Sequence, residues 1–391
     1  MMKQNKFDGI VCFGGEDWWY HNRGHFDIQV MREMAKYVPI VYVNSLGMRI
    51  PKINQDSAFW PRIIRKLKSV VRRFQIVEAN FGVLSVLSVP GQNHRWPLRS
   101  LMLVKIRKAQ RKLRIRNPIV WAALPSCEFL LDRLDHRALV YQRTDKFESE
   151  DDVSHDRSTR LDHILKNKAD LTVFCTRHVF YEERDQCHSA LYVDHGVHFD
   201  RFHQAGKSAT PPADIPKNGY VKKVGYIGGL DPITIDMDLI TNAVRSLSDH
   251  LFFFVGSDNL PDGWCEYKNA LFLGQKPYAE VASYMAAADV LLMPWRQNEW
   301  IKACNPVKLK EYLAVGRPIV TTYFPELEYY KNLVLIADGA EDFALKIRTA
   351  TRDPAKEKEQ QHRVKSETWE RKGQMILAEI QHVLDKKGSG N

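Results

Sequence analysis

The sequence lacks the features of membrane-spanning, secreted and metal-binding proteins. Its longest apolar runs are strand-length, and none approaches the roughly 18 residues that a membrane span requires. No two of its six cysteines are spaced as CxxC, which argues against a zinc ribbon and a dithiol redox pair. No apolar signal core follows the lysines of the N-terminus, and scattered cysteines suit a reducing compartment. We therefore expect a cytoplasmic chain that is not secreted.

The sequence also lacks several strings that identify common enzyme classes. Neither GxGxxG nor the Walker A string occurs, which argues against nicotinamide-dependent and ATP-hydrolysing enzymes. No spacing supports a zinc site or a Ser/His/Asp hydrolase, and no repeat of solenoid period is present. A DxD string occurs at 236–238, but it stands where a helix is predicted to begin, so we interpret it as helix N-terminal charge.

What is present indicates an α/β protein of two domains. The chain has 391 residues, of which 44% are hydrophobic and 27% charged, an ordinary globular composition. A strand–loop–helix–strand order at 7–44 predicts a parallel sheet, and a second such unit opens at 221–227. The polar, Pro- and Gly-rich segment 203–219 predicts an interdomain linker. We thus expect domains at 1–202 and 220–365, followed by a C-terminal helix at 366–386.

The positive charge is concentrated in one part of the chain. The net charge is +10, yet residues 49–116 alone contain 17 Lys and Arg against two acids. Within them, 61–74 and 101–115 have amphipathic helical periodicity. Basic amphipathic helices suit an anionic membrane surface. A solvated helix face over an ordinary core would explain the same charge, and binding to nucleic acid is a less suitable third explanation. The membrane-surface candidates are Arg65, Lys66, Arg72, Arg73, Arg107, Lys108 and Arg111.

Motifs in the second half resemble the donor site of group 1 glycosyltransferases of the GT-B fold. The string NPVKLKEYLAVGRPIVT at 305–321 is similar to a signature in which a helix opened by P-x-K-L-x-E-Y-L precedes G-x-P-I/V-V. VGYIGG at 224–229 resembles the opening strand and loop of that domain. HGVHFDRF at 195–202 resembles H-G-V-D-x-x-x-F, with His198 in place of Asp, and TWE at 368–370 resembles the start of the final helix. The resemblance implies two Rossmann-like domains facing across a cleft, with the C-terminal helix packing back on the first.

The first half resembles a subset of that family. DWWYHNRGH at 17–25 and LVYQRTD at 139–145 are similar to exopolysaccharide and teichuronic-acid glycosyltransferases, such as the xanthan glucuronosyltransferase. The resemblance implies hexosyl or uronosyl transfer from a nucleotide sugar, UDP-linked, to a lipid-linked or polysaccharide acceptor. Such an enzyme of surface polysaccharide biosynthesis would lie peripherally on the inner face of the cytoplasmic membrane. A sugar-nucleotide epimerase of the same fold and a non-catalytic sugar-nucleotide-binding scaffold remain alternatives.

The donor-site candidates follow from this resemblance and from helix electrostatics. Lys308 lies near a helix N-terminus, which itself favours anions, so the two can offset charge on a leaving diphosphate without a metal or cofactor. Glu311 lies one turn later on the same face, where the family binds ribose hydroxyls. The other candidates are glycines after the first strand, residues at strand ends and residues opening the helix: Gly228, Gly229, Gln275, Trp295, Asn305 and Val307.

The catalytic candidates lie in the first half. Asp145 follows the strand predicted at 138–142, and in the xanthan-type enzymes an Asp at the corresponding position is the general base. His21 and His25, in the loop after the first strand, are rival bases. Ala303 stands where retaining members carry Glu, which favours an inverting reaction. The acceptor-binding candidates are Asp17, Arg23 and Arg143, the last of which could instead pair with Glu148.

Overall fold

The computed structural model describes residues 6–20, 24–47, 59–88, 95–144, 155–208, 210–261 and 263–389. The chain divides into two compact units. The first comprises Met1–Asp194 together with Trp369–Asn391, and the second comprises His195–Thr368. The chain therefore passes from one unit to the other twice.

The first unit is built on an eight-stranded sheet with the order β3-β4-β2-β1-β5-β6-β7-β8. Its strands are β1 (Gly9–Phe13), β2 (Ile40–Val43), β3 (Phe74–Glu78), β4 (Phe81–Leu84), β5 (Pro118–Ala122), β6 (Ala138–Arg143), β7 (Leu171–Phe174) and β8 (Ala190–Tyr192). All neighbours pair in parallel except the edge strand β3, which is antiparallel to β4. The central strands are buried along their whole length, as is usual for a parallel sheet covered on both faces.

The helices of the first unit cover this sheet. They are α1 (Phe26–Met34), α2 (Phe59–Val71), α3 (Trp96–Lys112), α4 (Glu128–Leu131), α5 (His155–Lys168), α6 (Arg177–Glu183) and the C-terminal helix (Trp369–Ser389). The C-terminal helix begins at Trp369 rather than at 366, and the Trp369 ring packs edge-on against Phe26 of α1, with centroids 5.8 Å apart. Buried Lys372 and Asp194 form an ion pair of 2.6 Å in the same unit.

The helix of the first basic segment ends earlier than the periodicity of the sequence predicts. We expected a helix over 61–74, but α2 stops at Val71, and Arg73 adopts a left-handed backbone with φ of 56°. Phe74 then begins β3, opposite Leu84 of β4. Sequence periodicity missed this strand because a free sheet edge offered backbone pairing that the local pattern does not encode.

The second unit is built on a six-stranded parallel sheet with the order β11-β10-β9-β12-β13-β14. Its strands are β9 (Lys223–Ile227), β10 (Leu251–Val255), β11 (Ala270–Phe272), β12 (Val290–Met293), β13 (Ile319–Thr322) and β14 (Leu335–Ala337). Its helices are α7 (Phe199–Lys207), α8 (Met237–Ser246), α9 (Tyr278–Ala287), α10 (Glu299–Lys302), α11 (Val307–Val315), α12 (Gly339–Thr349) and α13 (Pro354–Val364).

The predicted boundary at 202 and the start of the linker at 203 are wrong. Helix α7 spans both positions and belongs to the second unit, where Phe202 is fully buried. Gly206 lets α7 approach α11, because a Cβ at this position would lie 2.2 Å from the Val315 carbonyl oxygen. The residues after 207 are partly exposed but include buried Ile215 of the same core.

Among the described residues, no helix is long and apolar enough to cross a membrane. The six cysteines all fall within the described ranges and are free thiols. Cys12 and Cys127 are buried in the first unit, and burial raises the pKa of both thiols above the ordinary value.

Candidate functional site

A lysine and a glycine loop lie together at the carboxyl end of the second sheet. Lys308, in the first turn of α11, places its Nζ 3.0 Å from the Tyr226 hydroxyl and 4.3 Å from the centroid of that ring. The Trp295 ring lies 5.8 Å from the same Nζ. Among the described residues, no carboxylate oxygen lies within 4 Å of it. The ammonium is thus held by aromatic groups and remains available to an anionic ligand.

The loop after β9 is shaped around this ammonium. Gly228 has φ of +153°, and a Cβ at this position would lie 2.0 Å from Lys308 Nζ. On its other side, the Gly228 carbonyl oxygen would lie 1.8 Å from a Cβ at Gly256. Any larger residue at 228 would displace Lys308, so the Gly228–Gly229 loop and the lysine form one structure at the position where parallel sheets bind ligands.

Glu311 is the second charged group of this cluster. Its side chain is buried, and the Tyr278 hydroxyl donates to its Oε1 at 2.7 Å. Burial raises the pKa of the Glu311 carboxyl to about 7, although Tyr278, Lys308 and Arg201 favour its ionised form. A carboxyl with this pKa exchanges its proton near neutral pH.

Sequence reasoning missed Arg201 as a member of this cluster. It lies on α7, and its guanidinium is 5.4 Å from the centroid of the Tyr278 ring. The HGVHFDRF string contains Arg201, so the resemblance offered a signal. Only the packing of α7 against α9 and α11 brings that signal to Glu311.

We predict that Glu311→Gln will change how stability depends on pH. The folded protein binds the Glu311 proton more tightly than the unfolded chain, whose carboxyl titrates near 4.5. Proton binding to Glu311 therefore stabilises the folded wild type in full below about pH 4.5, and this contribution is lost as the pH rises through about 7. At pH 8 the variant should be more stable by on the order of 2–3 kcal/mol.

Urea unfolding at pH 5.5, 7 and 8 measures this difference, which should shrink as the pH falls. Glu280→Gln is the matched control, since Glu280 is exposed in the first turn of α9. Parallel pH profiles for wild type and Glu311→Gln would contradict the assignment of a raised pKa to this group.

The other predicted donor residues surround this cluster to different extents. Trp295 is buried against Phe324, with ring centroids 4.9 Å apart, and its Nε1 is buried without a hydrogen-bond partner in the described part of the chain. Asn305 is buried just before α11, and Val307 is the first residue of that helix. Gln275 is exposed in the loop that leads into Tyr278. The structure brings Trp295 to Lys308, while Gln275 is exposed three residues before Tyr278.

The DxD string serves a helix terminus, as the sequence predicted. Asp236 is the N-cap of α8, and its side chain accepts a hydrogen bond from the Leu239 amide at 2.9 Å. Asp238 lies in the first turn of the same helix, where negative charge is favourable. In the described ranges, no three His, Cys, Asp or Glu side chains are grouped as metal ligands.

In the first unit, the loop after β1 is held by hydrogen bonds within that unit. Asp17 Oδ1 accepts from the Trp19 amide at 3.0 Å and from Asn44 Nδ2 at 3.3 Å, so this carboxylate stabilises the loop. His25 Nε2 lies 3.9 Å from Glu16 Oε1, and both side chains are partly exposed. His21, Arg23 and Asp145 lie outside the described residues, and their roles stay predictions.

Arg143 is not available to an acceptor, which corrects the prediction. Its side chain is fully buried at the end of β6, where it donates from Nε and a terminal nitrogen to Glu183 at 3.1 and 3.0 Å. Asp162 and Lys166 complete the network, with Lys166 Nζ 2.6 Å from Asp162 and 2.5 Å from Glu183. Burial opposes ionisation of Glu183, yet Arg143 and Lys166 hold its pKa below the ordinary value. Packing thus supplies Glu183 as a partner, while Glu148, the partner considered from the sequence, lies outside the described residues.

Lys66 is also removed from the predicted membrane surface. Its Nζ donates to the Ser45 carbonyl at 2.6 Å, and burial lowers the pKa of its ammonium although Asp17 opposes this. The remaining members of that predicted set are all exposed: Arg65, Arg72, Arg73, Arg107, Lys108 and Arg111.

Part of the apolar stripe of α2 faces solvent together with these cations. Ile64, Leu67 and Val71 are 49%, 53% and 77% exposed, and their spacing of three and four residues places them along one face of the helix. Trp96 and Val104 of α3 are 74% and 61% exposed. An apolar row of this kind beside exposed cations is unusual for a solvated helix.

The second unit matches a known sequence family. Residues 221–353 match the family described as "Glycosyl transferases group 1". The matched range includes the glycine loop, Lys308 and Glu311, while Arg201 lies outside it. The aligned residues are thus those that build the site at the carboxyl end of the second sheet.

One relative and several solved structures are also similar to the chain. A glycosyltransferase assigned to teichuronic acid biosynthesis in Bacillus subtilis (strain 168), TuaH, is 32% identical over 148 residues, so the match spans about a third of each protein, 36% of this chain and 36% of TuaH. Trehalose 6-phosphate synthase from Burkholderia multivorans superposes with a TM-score of 0.62 at 12% identity, covering 98% of both chains. HepE from Anabaena, solved in complex with UDP and glucose, gives 0.56 at 14%, covering 98% of this chain and 99% of HepE.

The two kinds of comparison support different statements. At these identities the structural matches establish the fold, which is that of GT-B glycosyltransferases, as the sequence predicted. The family match adds a sequence relationship over the residues that form the site. The chain thus has the GT-B fold, and residues 221–353 of its second unit are similar in sequence to group 1 glycosyltransferases.

Proposed function

We propose that the protein is a metal-independent glycosyltransferase that moves a sugar from a UDP-linked donor to a lipid-linked or polysaccharide acceptor in surface polysaccharide biosynthesis. The observation that carries this proposal is the pairing of Lys308 with the Gly228–Gly229 loop, one turn from buried Glu311. The family match over these residues and the UDP held by the similar HepE structure support a nucleotide-sugar donor. The similarity to TuaH supports an acceptor of the polysaccharide class.

The proposed donor chemistry is electrostatic. The ammonium of Lys308 and the N-terminus of α11 would stabilise the negative charge that develops on the departing nucleoside diphosphate. Glu311, when ionised, would accept hydrogen bonds from two ribose hydroxyls. Lys308 is half-buried beside the rings of Tyr226 and Trp295, and a charge with less water around it attracts a phosphate more strongly.

The proposed acceptor chemistry is a single displacement with inversion. Asp145 would take the proton of the acceptor hydroxyl, and the oxygen of that hydroxyl would bond to the anomeric carbon of the donor sugar. The bond from that carbon to the diphosphate breaks, and its electron pair leaves with the nucleotide. Ala303 and Leu230 stand where retaining relatives carry Glu and Arg, which favours inversion. His21 and His25 are the alternative bases.

We propose that the exposed cations of α2 and α3 bind an anionic membrane surface, on the cytoplasmic side where nucleotide sugars are made. Each Lys or Arg near such a surface contributes about 1 kcal/mol. The exposed apolar row of α2 adds area that a bilayer interface would bury.

Neutralising four of these cations should release the protein from anionic vesicles. Replacing Arg65, Arg107, Lys108 and Arg111 by Ser should weaken binding to phosphatidylglycerol vesicles by about 4 kcal/mol in total, roughly a thousandfold. Vesicle co-sedimentation measures the loss. The matched control replaces four exposed lysines from other parts of the chain: Lys217, Lys268, Lys358 and Lys386. If both variants lose vesicle binding equally, the net charge of the protein and not this surface determines binding, which would contradict the proposal.

The experiment that tests the function is a thermal-shift panel with UDP, GDP, ADP and CMP, followed by the matching sugar nucleotides. A ligand at 100 times its dissociation constant stabilises the fold by about 2.7 kcal/mol, so a true donor should raise the Tm. Transfer is then assayed with membranes as acceptor. Sugar transfer supports the proposal, epimer formation without acceptor points to an epimerase, and binding without turnover points to a scaffold. No shift with any nucleotide would contradict a donor site.

A further inference from the structure

An aromatic and a cationic side chain meet at the carboxyl edge of the first sheet. Trp19 lies in the loop after β1, and the guanidinium carbon of Arg72, immediately after α2, is 4.6 Å from the centroid of the Trp19 ring. The segments that follow β2 and β4 contribute Asn44 and Ser85. Since β1, β2 and β4 are parallel, all three segments emerge at the edge where α/β sheets bind ligands.

A buried hydrogen-bond network holds Trp19 in this position. Its Nε1 donates to Ser85 Oγ at 3.1 Å, and Asn44 Nδ2 donates to Ser85 Oγ at 2.9 Å. Ser69 of α2 joins them, with its Oγ 3.0 Å from Ser85 Oγ and 3.1 Å from Asn44 Nδ2. Asn44, Ser69 and Ser85 are almost completely buried. Satisfied buried networks are rigid, so both the ring and the end of α2 are preorganised.

Arg72 is the cation that this arrangement leaves free. Its side chain is exposed, and in the described part of the chain no carboxylate lies within ion-pair distance of it. Nearby Lys66 is occupied by the Ser45 carbonyl. A guanidinium presents a planar fork of donors that matches phosphate oxygens, and stacking on an indole fixes its plane.

An apolar surface continues from Arg72 back along α2. Val71 and Leu67 are 77% and 53% exposed on α2. An amphiphile whose phosphate contacts Arg72 could therefore lay its first carbons against these side chains while a sugar on the other side of the phosphate reaches the Trp19 ring.

We propose that Trp19 and Arg72 form a subsite for the phosphate group of an amphiphilic acceptor, with Arg72 binding the phosphate and Trp19 the adjoining sugar. This inference rests on the proposed function and names the acceptor class as a lipid-linked phosphate or diphosphate. It also changes the role of Arg72, which becomes a substrate-binding residue rather than one of several surface charges.

The test measures binding of geranyl diphosphate, a short soluble prenyl diphosphate, to the full chain by isothermal titration calorimetry. In Arg72→Ala the dissociation constant should rise at least about tenfold, because a charge-assisted contact is lost. The dissociation constant of Arg72→Lys should lie between those of the wild type and Arg72→Ala, since lysine keeps the charge but lacks the planar fork of donors. Lys68→Ala, an exposed cation one turn earlier on α2, is the matched control and should bind as the wild type does.

Dihexanoyl phosphatidylglycerol, added in place of geranyl diphosphate, distinguishes the two sources of phosphate. It should bind the wild type at least about tenfold more weakly than geranyl diphosphate does, and Arg72→Ala and Lys68→Ala should change its affinity equally. Equal affinity for both amphiphiles, with equal sensitivity to Arg72→Ala, would assign the subsite to a bilayer lipid and overturn the proposal. Unchanged binding of geranyl diphosphate in Arg72→Ala, or equal loss in Lys68→Ala, would overturn it as well.

The same protein samples separate this inference from the proposed function. UDP binding, measured in parallel, reports only on the second unit. Failure of the wild type to bind UDP would contradict the proposed function and leave the geranyl diphosphate result unaffected. Normal UDP binding with no role for Arg72 would contradict the subsite alone.

Discussion

Replacing Lys308 by alanine is expected to lower kcat/KM for sugar transfer about 100- to 1,000-fold, the range found when a donor aimed at developing charge is removed. The reason is local: Lys308 Nζ lies against Gly228 and beside the rings of Tyr226 and Trp295, and no described carboxylate forms an ion pair with it. The loss should affect both UDP affinity and kcat, because the ammonium would contact the diphosphate before and during its departure. Steady-state kinetics and calorimetric titration of UDP measure the two effects.

Two further variants make this result specific to charge. Lys308→Met keeps an unbranched chain beside Tyr226 and Trp295 but carries no charge, so it should lose as much activity as the alanine variant. Lys302→Ala removes an exposed lysine that pairs with Glu299 on α10 and should leave the kinetics unchanged. Near-normal turnover in Lys308→Met would mean that the side chain fills space and does not bind the diphosphate.

The second large effect is expected for Asp145→Asn, which should lower kcat about 100- to 10,000-fold, the contribution of a positioned general base. The amide cannot accept the acceptor proton, whereas it has nearly the same shape as the carboxylate. UDP affinity should stay at the wild-type value, because donor binding is proposed for the second unit. Single-turnover transfer and UDP titration together test both statements.

A nearby carboxylate provides the control for this variant. Asp135 is exposed in the segment before β6, and Asp135→Asn should transfer sugar at the wild-type rate. If Asp145→Asn retains near-normal transfer, the general base is elsewhere, and His21→Gln and His25→Gln become the next variants to assay.

The proximity of Lys308, Glu311 and the glycine loop could be predicted from the sequence because local strings encode it. Lys308 and Glu311 are three residues apart, so any α-helix through them places both on one face, whatever packs around it. The glycines at 228 and 229 directly follow the strand predicted at 221–227, which opens the second parallel sheet. These features needed only helical periodicity, strand alternation and the resemblance of a 17-residue string.

The first unit shows where such reasoning stopped. Sequence gives only the charge of Arg143 and Lys66, and that charge alone predicts cations that face a ligand and a membrane. Their partners, Glu183 and the Ser45 carbonyl, are 40 and 21 residues away along the chain. A pairing over such distances depends on how α5, α6 and the loop after β2 pack, which no local pattern records.

The sequence by itself determined the fold class, the division into two α/β units, the concentration of basic charge and the Lys308–Glu311 pair. Tertiary structure alone decided that α7 belongs to the second unit, that Arg201 and Tyr278 adjoin Glu311, and that Arg72 stacks on Trp19. The physical reason is the range of the interactions. Periodicity and charge act along neighbouring residues, whereas burial and hydrogen bonding join side chains that meet only when separate helices and loops pack together.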